Sequence, residues 1–447
     1  MRKKDFLFLL GIGASIVTVN ASTIKISVTN QDASEKVVLT FANKEKKEIT
    51  LDAAGKASVT LTDFEPQYVK LQYGRASRLL YLDPSQDLSM SFDGESMWKA
   101  ISFTGAGASV NTYLNNGKLK QLAFNDAKVE EKAYIQKSDS LYQANLNVLE
   151  VAGLPDGFVK QEKERLKFYS YAGFPLYPIY YAYLNKTENF KATEAYYSHL
   201  KNLTVIDADL LLLKEYKEFL FNAVSCLGLN GEKNESQLQL LQAQLKYIEE
   251  NVTEEKVREY LVNTVAYNYV KGNGIDEAAP AIEAFNKYVK DSEMTSKFNA
   301  VCDSWRKLSS GKPSPVFSGE TTDGKTVTLS DLKGKYIYID VWATWCGPCR
   351  GELPHLKELE EKYRGKEIEF VSLSCDQNKG AWKKMVEKEQ MKGVQLYIGA
   401  KSEFMKDYMI NGIPRFILLD KEGNIISANM SRPSQPETVV KLDALLK

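Results

Sequence analysis

Two periodicities divide the chain. From Ser22 to Gly107 apolar and polar residues alternate in short runs: Ile24 to Val28, Val37 to Phe41, Ile49 to Leu51, Ala57 to Leu61, Tyr68 to Leu71 and Leu88 to Phe92. Alternation puts every second side chain on one face, so each run predicts a half-buried strand. Asn43-Lys44, Ala54-Gly55-Lys56 and Asp93-Gly94 supply the turns between them. The expectation is an N-terminal antiparallel β-sandwich-like domain over 22–107, leaving through a hinge at Phe103–Gly107. The charge run Lys44–Glu48 reads as its solvated hairpin tip.

From about Ser109 the period becomes helical. Lys128–Val151, Phe158–Tyr171, Gln237–Asn251 and Val257–Val270 carry apolar residues three and four apart, punctuated by Pro155, Pro175, Pro178, Gly231 and Gly272-Asn273-Gly274. They predict an α-helical middle domain with its linker over 108–310, ending in Ser309–Pro315. The tyrosines crowding Phe168–Tyr183 read as helix packing with hydroxyls at the rim. Over 311–447 strand-like and helix-like segments alternate. Tyr336–Val341, Ile368–Leu373, Val394–Ile398, Arg415–Leu419 and Ile425–Ala428 read as strands, and Glu352–Arg364, Lys379–Gln390 and Glu437–Leu446 as helices. That order predicts a C-terminal α/β domain with helices on both faces of a central sheet.

Composition removes several function classes. The 447 residues carry 58 basic and 58 acidic side chains, so no basic field is present to hold nucleic acid. Residues 1–21 differ in kind: Arg2-Lys3-Lys4, an apolar run from Phe6 to Val19, then Val19-Asn20-Ala21. This pattern predicts a signal peptide cleaved after Ala21 and an exported, periplasmic chain. Five cysteines are few for an exported protein, so disulfides are not its main scaffold. Cys226, Cys302 and Cys375 are solitary, and a Cys226–Cys302 bond is left open.

Candidate chemistry concentrates in Trp342-Ala343-Thr344-Trp345-Cys346-Gly347-Pro348-Cys349-Arg350. The two cysteines fall where a buried strand ends and a helix begins. Free backbone N–H groups and the positive end of the helix dipole favour a thiolate there. Cys346 is expected to point out from the helix tip as the attacking sulfur, with Cys349 one turn in and shielded. A zinc site lacks companion ligands, and a purely structural bond would close too small a loop to stabilise much. No metal and no cofactor beyond the Cys346–Cys349 redox disulfide is expected.

This stretch resembles the thioredoxin active site, and its details resemble the TlpA/ResA-type periplasmic thiol–disulfide oxidoreductases. Asp340 stands six residues before Cys346 where the family has a buried acid. Arg350-Gly351-Glu352-Leu353-Pro354 resembles the run that follows the second cysteine, including its helix proline. Gly412-Ile413-Pro414-Arg415-Phe416 resembles the cis-proline loop. Ser372 and Arg415 depart from the lysine and threonine common in thioredoxins. The resemblance covers about the last third of the chain and implies a thioredoxin-like fold for 311–447. It implies Cys346, Cys349 and Asp340 as catalytic residues, Asp340 being the base for the Cys349 proton. Trp345, Gly347, Pro348, Ile413, Pro414 and Arg415 are implied as substrate-binding residues. The expected activity is reduction or isomerisation of disulfides in client proteins, with a membrane thiol relay as electron donor. An alternative is an assembly module whose N-terminal domains capture one dedicated client. The sequence leaves a homodimer open.

Overall fold

A computed structural model describes residues 21–188, 190–233 and 236–447. The expected signal segment, apart from Ala21, lies outside the described residues. The chain divides between Lys233 and Asn234 into two compact units.

In the first unit, strong alternation builds a two-sheet sandwich. One sheet runs in the order Lys56–Thr62, Ala21–Thr29, Leu88–Asp93, Ile101–Thr104, and the other Lys46–Ile49, Val37–Thr40, Gln67–Tyr73, Ala76–Leu82. Every pairing is antiparallel except Ala21–Thr29 with Leu88–Asp93, which is parallel. Ile24, Ile26, Val28, Leu39, Leu71, Leu80 and Met90 form its buried core. Two strands escaped the alternation rule. Ala76–Leu82 ends in the unbroken apolar run Leu79–Leu82 because both of its faces are covered. Leu80 and Leu82 face the sandwich core, while Tyr81 packs with Val110, Tyr113 and Phe158 of the helices. Ile101–Thr104, whose last two residues were expected to open a hinge, is an edge strand, and Lys46–Ile49 turns most of the charge run into another edge. Charged side chains on an edge discourage pairing with a further chain.

Helices Ala108–Asn115, Glu131–Glu150, Asp156–Ser170, Tyr177–Asn185, Glu194–Leu203 and Lys214–Leu229 complete this unit. Their junction with the sandwich is ionic as well as apolar. Buried Arg165 donates to Glu162 at 2.7 and 2.8 Å and to Glu215 at 2.8 Å. The hydroxyls of Tyr68 (2.5 Å) and Tyr113 (3.1 Å) also donate to Glu162. The tyrosine-rich stretch packs largely as expected, with Tyr177 stacked on Tyr134 at 4.4 Å.

The second unit takes the remaining helices, Gln237–Asn251, Glu255–Asn273, Ala279–Tyr288 and Ser292–Arg306, together with the α/β domain. The helical stretch 108–310 thus contributes to both units. The seven-stranded sheet has the order Thr326–Thr328, Ser318–Glu320, Val394–Tyr397, Ile368–Ser374, Tyr336–Trp342, Arg415–Leu419, Ile425–Met430. Its strand Tyr336–Trp342 pairs parallel with Ile368–Ser374 and antiparallel with Arg415–Leu419. Tyr338, Phe370, Phe416 and Leu418 form one core face with Leu356, Leu359 and Leu442, which come from helices Gly347–Lys362 and Pro436–Leu445. This is a thioredoxin-like fold. Arg415 over the Trp305 ring (5.6 Å) and the Asn429 side chain on the Gly272 carbonyl (3.3 Å) tie the four helices to the sheet.

Candidate active site

Strand Tyr336–Trp342 carries Asp340 near its end, then Ala343-Thr344-Trp345 turns the chain into helix Gly347–Lys362. Cys346 is the N-cap of that helix, and the Cys349 backbone N–H donates to its sulfur at 3.1 Å. Gly347 and Pro348 fill the first two helical positions, where the missing proline N–H costs nothing because that donor has no helical acceptor. Pro354 lies inside the helix. Cys346 and Cys349 are joined in a disulfide with an S–S distance of 2.01 Å. The Ile413–Pro414 bond is cis, and the Ile413 carbonyl oxygen lies 3.7 Å from the Cys346 sulfur. The loop expected to face the cysteines does so.

The expected open sulfur is corrected. Cys346 is 4% exposed and Cys349 2%, because Trp342, Ala343, Cys375, Trp382, Met405 and Ile413 pack around them as one apolar cluster. Trp345, by contrast, is 70% exposed beside the cysteine it precedes.

Asp340 is buried under the helix, 4% exposed, and its carboxyl is pushed up to about 8. Burial is the largest cause, followed by the charges of Glu352 and Glu360. Glu352 is fixed by Ser434, whose backbone N–H (3.0 Å) and hydroxyl (2.9 Å) both donate to it. The acid thus belongs to a small carboxylate group, of which residue spacing points to Asp340 alone. Glu352 was visible in the sequence as part of the run after Cys349, but its coupling to Asp340 needed the helix to be laid over the strand.

Asp376 is a further site residue not expected from the sequence. Its buried carboxylate accepts the Thr344 backbone N–H at 3.0 Å, the Thr344 hydroxyl at 2.7 Å and the Ser374 hydroxyl at 2.8 Å. It therefore holds the turn two residues ahead of Cys346. Its position directly after a buried strand, Ser374-Cys375-Asp376, was the available signal. Cys375 donates its thiol to the Trp342 carbonyl at 3.4 Å, and burial pushes that thiol up to about 11. Cys226 and Cys302 are free thiols.

Arg415 departs from its expected place. It follows Pro414 in sequence, but its side chain is 8% exposed and lies over Trp305, and its Nη1 has no partner among the described residues. The reason is tertiary: helix Ser292–Arg306 covers this part of the sheet. Burial without a facing carboxylate lowers the guanidinium to about 10, so it stays charged at neutral pH.

The family model described as Redoxin matches residues 309–446. Among curated proteins, the thiol-disulfide oxidoreductase ResA of Bacillus anthracis is 33% identical over 120 residues, 27% of this chain and 69% of that protein. The thioredoxin-like protein YneN of Bacillus subtilis (strain 168) is 28% identical over 137 residues, 30% of this chain and 80% of its own length. A solution structure from Bacteroides vulgatus, assigned to the thiol-disulfide oxidoreductases, shares 68% identity across 31% of this chain and 92% of that chain, with TM-score 0.29. A thiol-disulfide oxidoreductase from Bacteroides fragilis NCTC 9343 shares 30% identity across 30% of this chain and all of that chain, with TM-score 0.28.

Proposed function

Because the chain belongs, through its last third, to the thioredoxin-like thiol–disulfide oxidoreductases that include ResA, we propose that it is an exported enzyme that reduces disulfides of client proteins through Cys346 and Cys349. The observation that carries this reading is the Cys346–Cys349 bond at a helix N-terminus, with the Ile413 carbonyl 3.7 Å from the Cys346 sulfur.

The reaction runs as two thiol–disulfide exchanges. A dithiol donor, taken to be a membrane thiol relay, first passes two electrons to the Cys346–Cys349 bond and leaves as a disulfide. The helix N-terminus and the Cys349 N–H then stabilise negative charge on Cys346. The Cys346 thiolate attacks one sulfur of the client disulfide, forming a mixed disulfide and expelling the other sulfur as a thiolate. Cys349 gives its proton to Asp340 and attacks Cys346, which reforms the internal bond and releases the second client sulfur. With its carboxyl near 8, Asp340 is mostly protonated at neutral pH. Resolution therefore accelerates as pH rises through about 8, where the carboxylate form becomes abundant. The backbone of the cis Ile413–Pro414 loop would offer the client hydrogen bonds that do not depend on its side chains.

Export is supported by the basic and apolar residues before Ala21. Among the described residues no helix is long and apolar enough to cross a membrane. Reduction of insulin by dithiothreitol, followed as turbidity, tests the activity. The wild-type chain is expected to shorten the lag, and Cys346→Ala to leave it at the uncatalysed value. Equal curves for the two would remove the proposal.

A further inference from the structure

A cleft of about 540 Å³ opens in the second unit between helices Glu255–Asn273 and Ser292–Arg306 on one side and the segment Ala400–Asn411 on the other. That volume is in the range of built binding clefts. Val301, Met405, Met409 and Ile410 supply its apolar lining, and Lys271 and Lys401 stand at its exposed rim. The cleft adjoins the redox centre in two ways. Met405 also packs against the cluster that encloses Cys346 and Cys349. Asn411, at the cleft's end, precedes Ile413 by two residues, a chain distance of at most about 7 Å.

Its charge is one-sided. Lys406 is answered by Glu403 at 3.3 Å, whereas among the described residues no carboxylate pairs with Lys271 or Lys401. One turn beyond Val301 on the same helix, Trp305 carries the buried Arg415 guanidinium, which also has no carboxylate partner among the described residues. A site with unanswered lysines at its rim and an apolar lining favours an anionic, partly apolar chain over a cationic one.

We propose that this cleft receives the polypeptide flanking the client's reactive cysteine and selects clients in which that flank is acidic. The inference rests on the disulfide-reductase reading and deepens it by naming a substrate class. An extended client bonded through Cys346 would run along the Ile413 loop and continue into the cleft, with its carboxylates against Lys271 and Lys401. The redox step is unchanged. The cleft acts on association, so it alters kcat/KM for peptides and not the chemistry at sulfur.

The test compares three substrates of the full-length reduced chain. Two are disulfide-bonded peptides identical around the cysteines, one flanked by glutamates and one by lysines. The third is hydroxyethyl disulfide, which is uncharged and too small to reach the cleft. At about 20 mM salt the wild-type chain is expected to favour the acidic peptide by about tenfold in kcat/KM, the ratio falling toward one at about 0.5 M salt as screening shortens the reach of the rim charges. The double variant Lys271→Glu/Lys401→Glu should invert the ratio, and Lys271→Gln/Lys401→Gln should bring it close to one. Both should keep the rate on hydroxyethyl disulfide, which also reports that the variants are folded. An unchanged peptide ratio with that rate intact overturns the cleft proposal alone. A wild-type chain inert toward hydroxyethyl disulfide overturns the reductase reading and this inference with it.

Discussion

Replacing Asp340 with asparagine should make the oxidised protein more stable, by an amount that depends on pH. The fold holds this carboxyl from 3.8 up to about 8, through burial first and then the charges of Glu352 and Glu360. The sign follows from comparing the two states. Below about pH 4 the group is neutral both folded and unfolded, and it contributes no difference. Between about 4 and 8 the unfolded chain ionises while the folded one stays protonated, so native stability falls by about 1.4 kcal/mol per pH unit. Above about 8 both states are ionised and the penalty levels off. A shift of about four units corresponds to about 6 kcal/mol, an upper value because relaxation and water entry lessen it. Asparagine at 340 has no such titration. Urea unfolding of wild type and Asp340→Asn at about pH 5, 6.5, 8 and 9 measures the gap. Tryptophan fluorescence is a suitable probe, since four of the five tryptophans, Trp305, Trp342, Trp345 and Trp382, lie in the redox unit. The advantage of the variant should widen by about 4 kcal/mol from about pH 5 to about pH 8 and level off above that. A gap that is constant across this range, or that narrows, would refute the reasoning.

Other perturbations follow from the same geometry. Glu352→Gln removes a negative charge from beside Asp340, so the wild-type pH midpoint near 8 should move down, read as a shift in the pH dependence of unfolding. Asp376→Ala leaves the Thr344 N–H and two hydroxyls without their acceptor, and should cost about 1–3 kcal/mol with altered Trp345 fluorescence. Arg165→Met strands the Glu162 and Glu215 carboxylates in the first unit and should destabilise that unit by about 3–5 kcal/mol, measured by calorimetry. Reductase activity of this variant should survive at temperatures where the second unit is still folded.

What could be read from the sequence was what depends on local spacing. The strand–Cys-x-x-Cys–helix junction, the buried acid six residues upstream and the proline loop all carry their own signatures, and the fold brings Ile413 to Cys346. Gln237–Asn251 and Arg415–Leu419 keep even their expected limits, since clean periodicity and turn residues bound them. Failures came where a second surface intervenes. Leu79–Leu82 does not alternate because helices cover the face that should have been polar. Arg415 looked like a substrate residue because it follows Pro414, yet a helix more than a hundred residues earlier supplies the ring it packs on. Asp376 and the pairing of Glu352 with Ser434 are contacts across elements, and no periodicity announces them. The recessed sulfurs belong to the same class, because the side chains that enclose them come from segments far apart in the chain.

The most direct test of the account is covalent trapping. Reduced Cys349→Ser should form a mixed disulfide with a disulfide-bonded peptide, seen by mass spectrometry as one adduct, located at Cys346 and released by dithiothreitol. Cys346→Ser should form none. An adduct on Cys375 instead, or equal trapping by the two variants, would contradict the claim that Cys346 is the sulfur that meets the client.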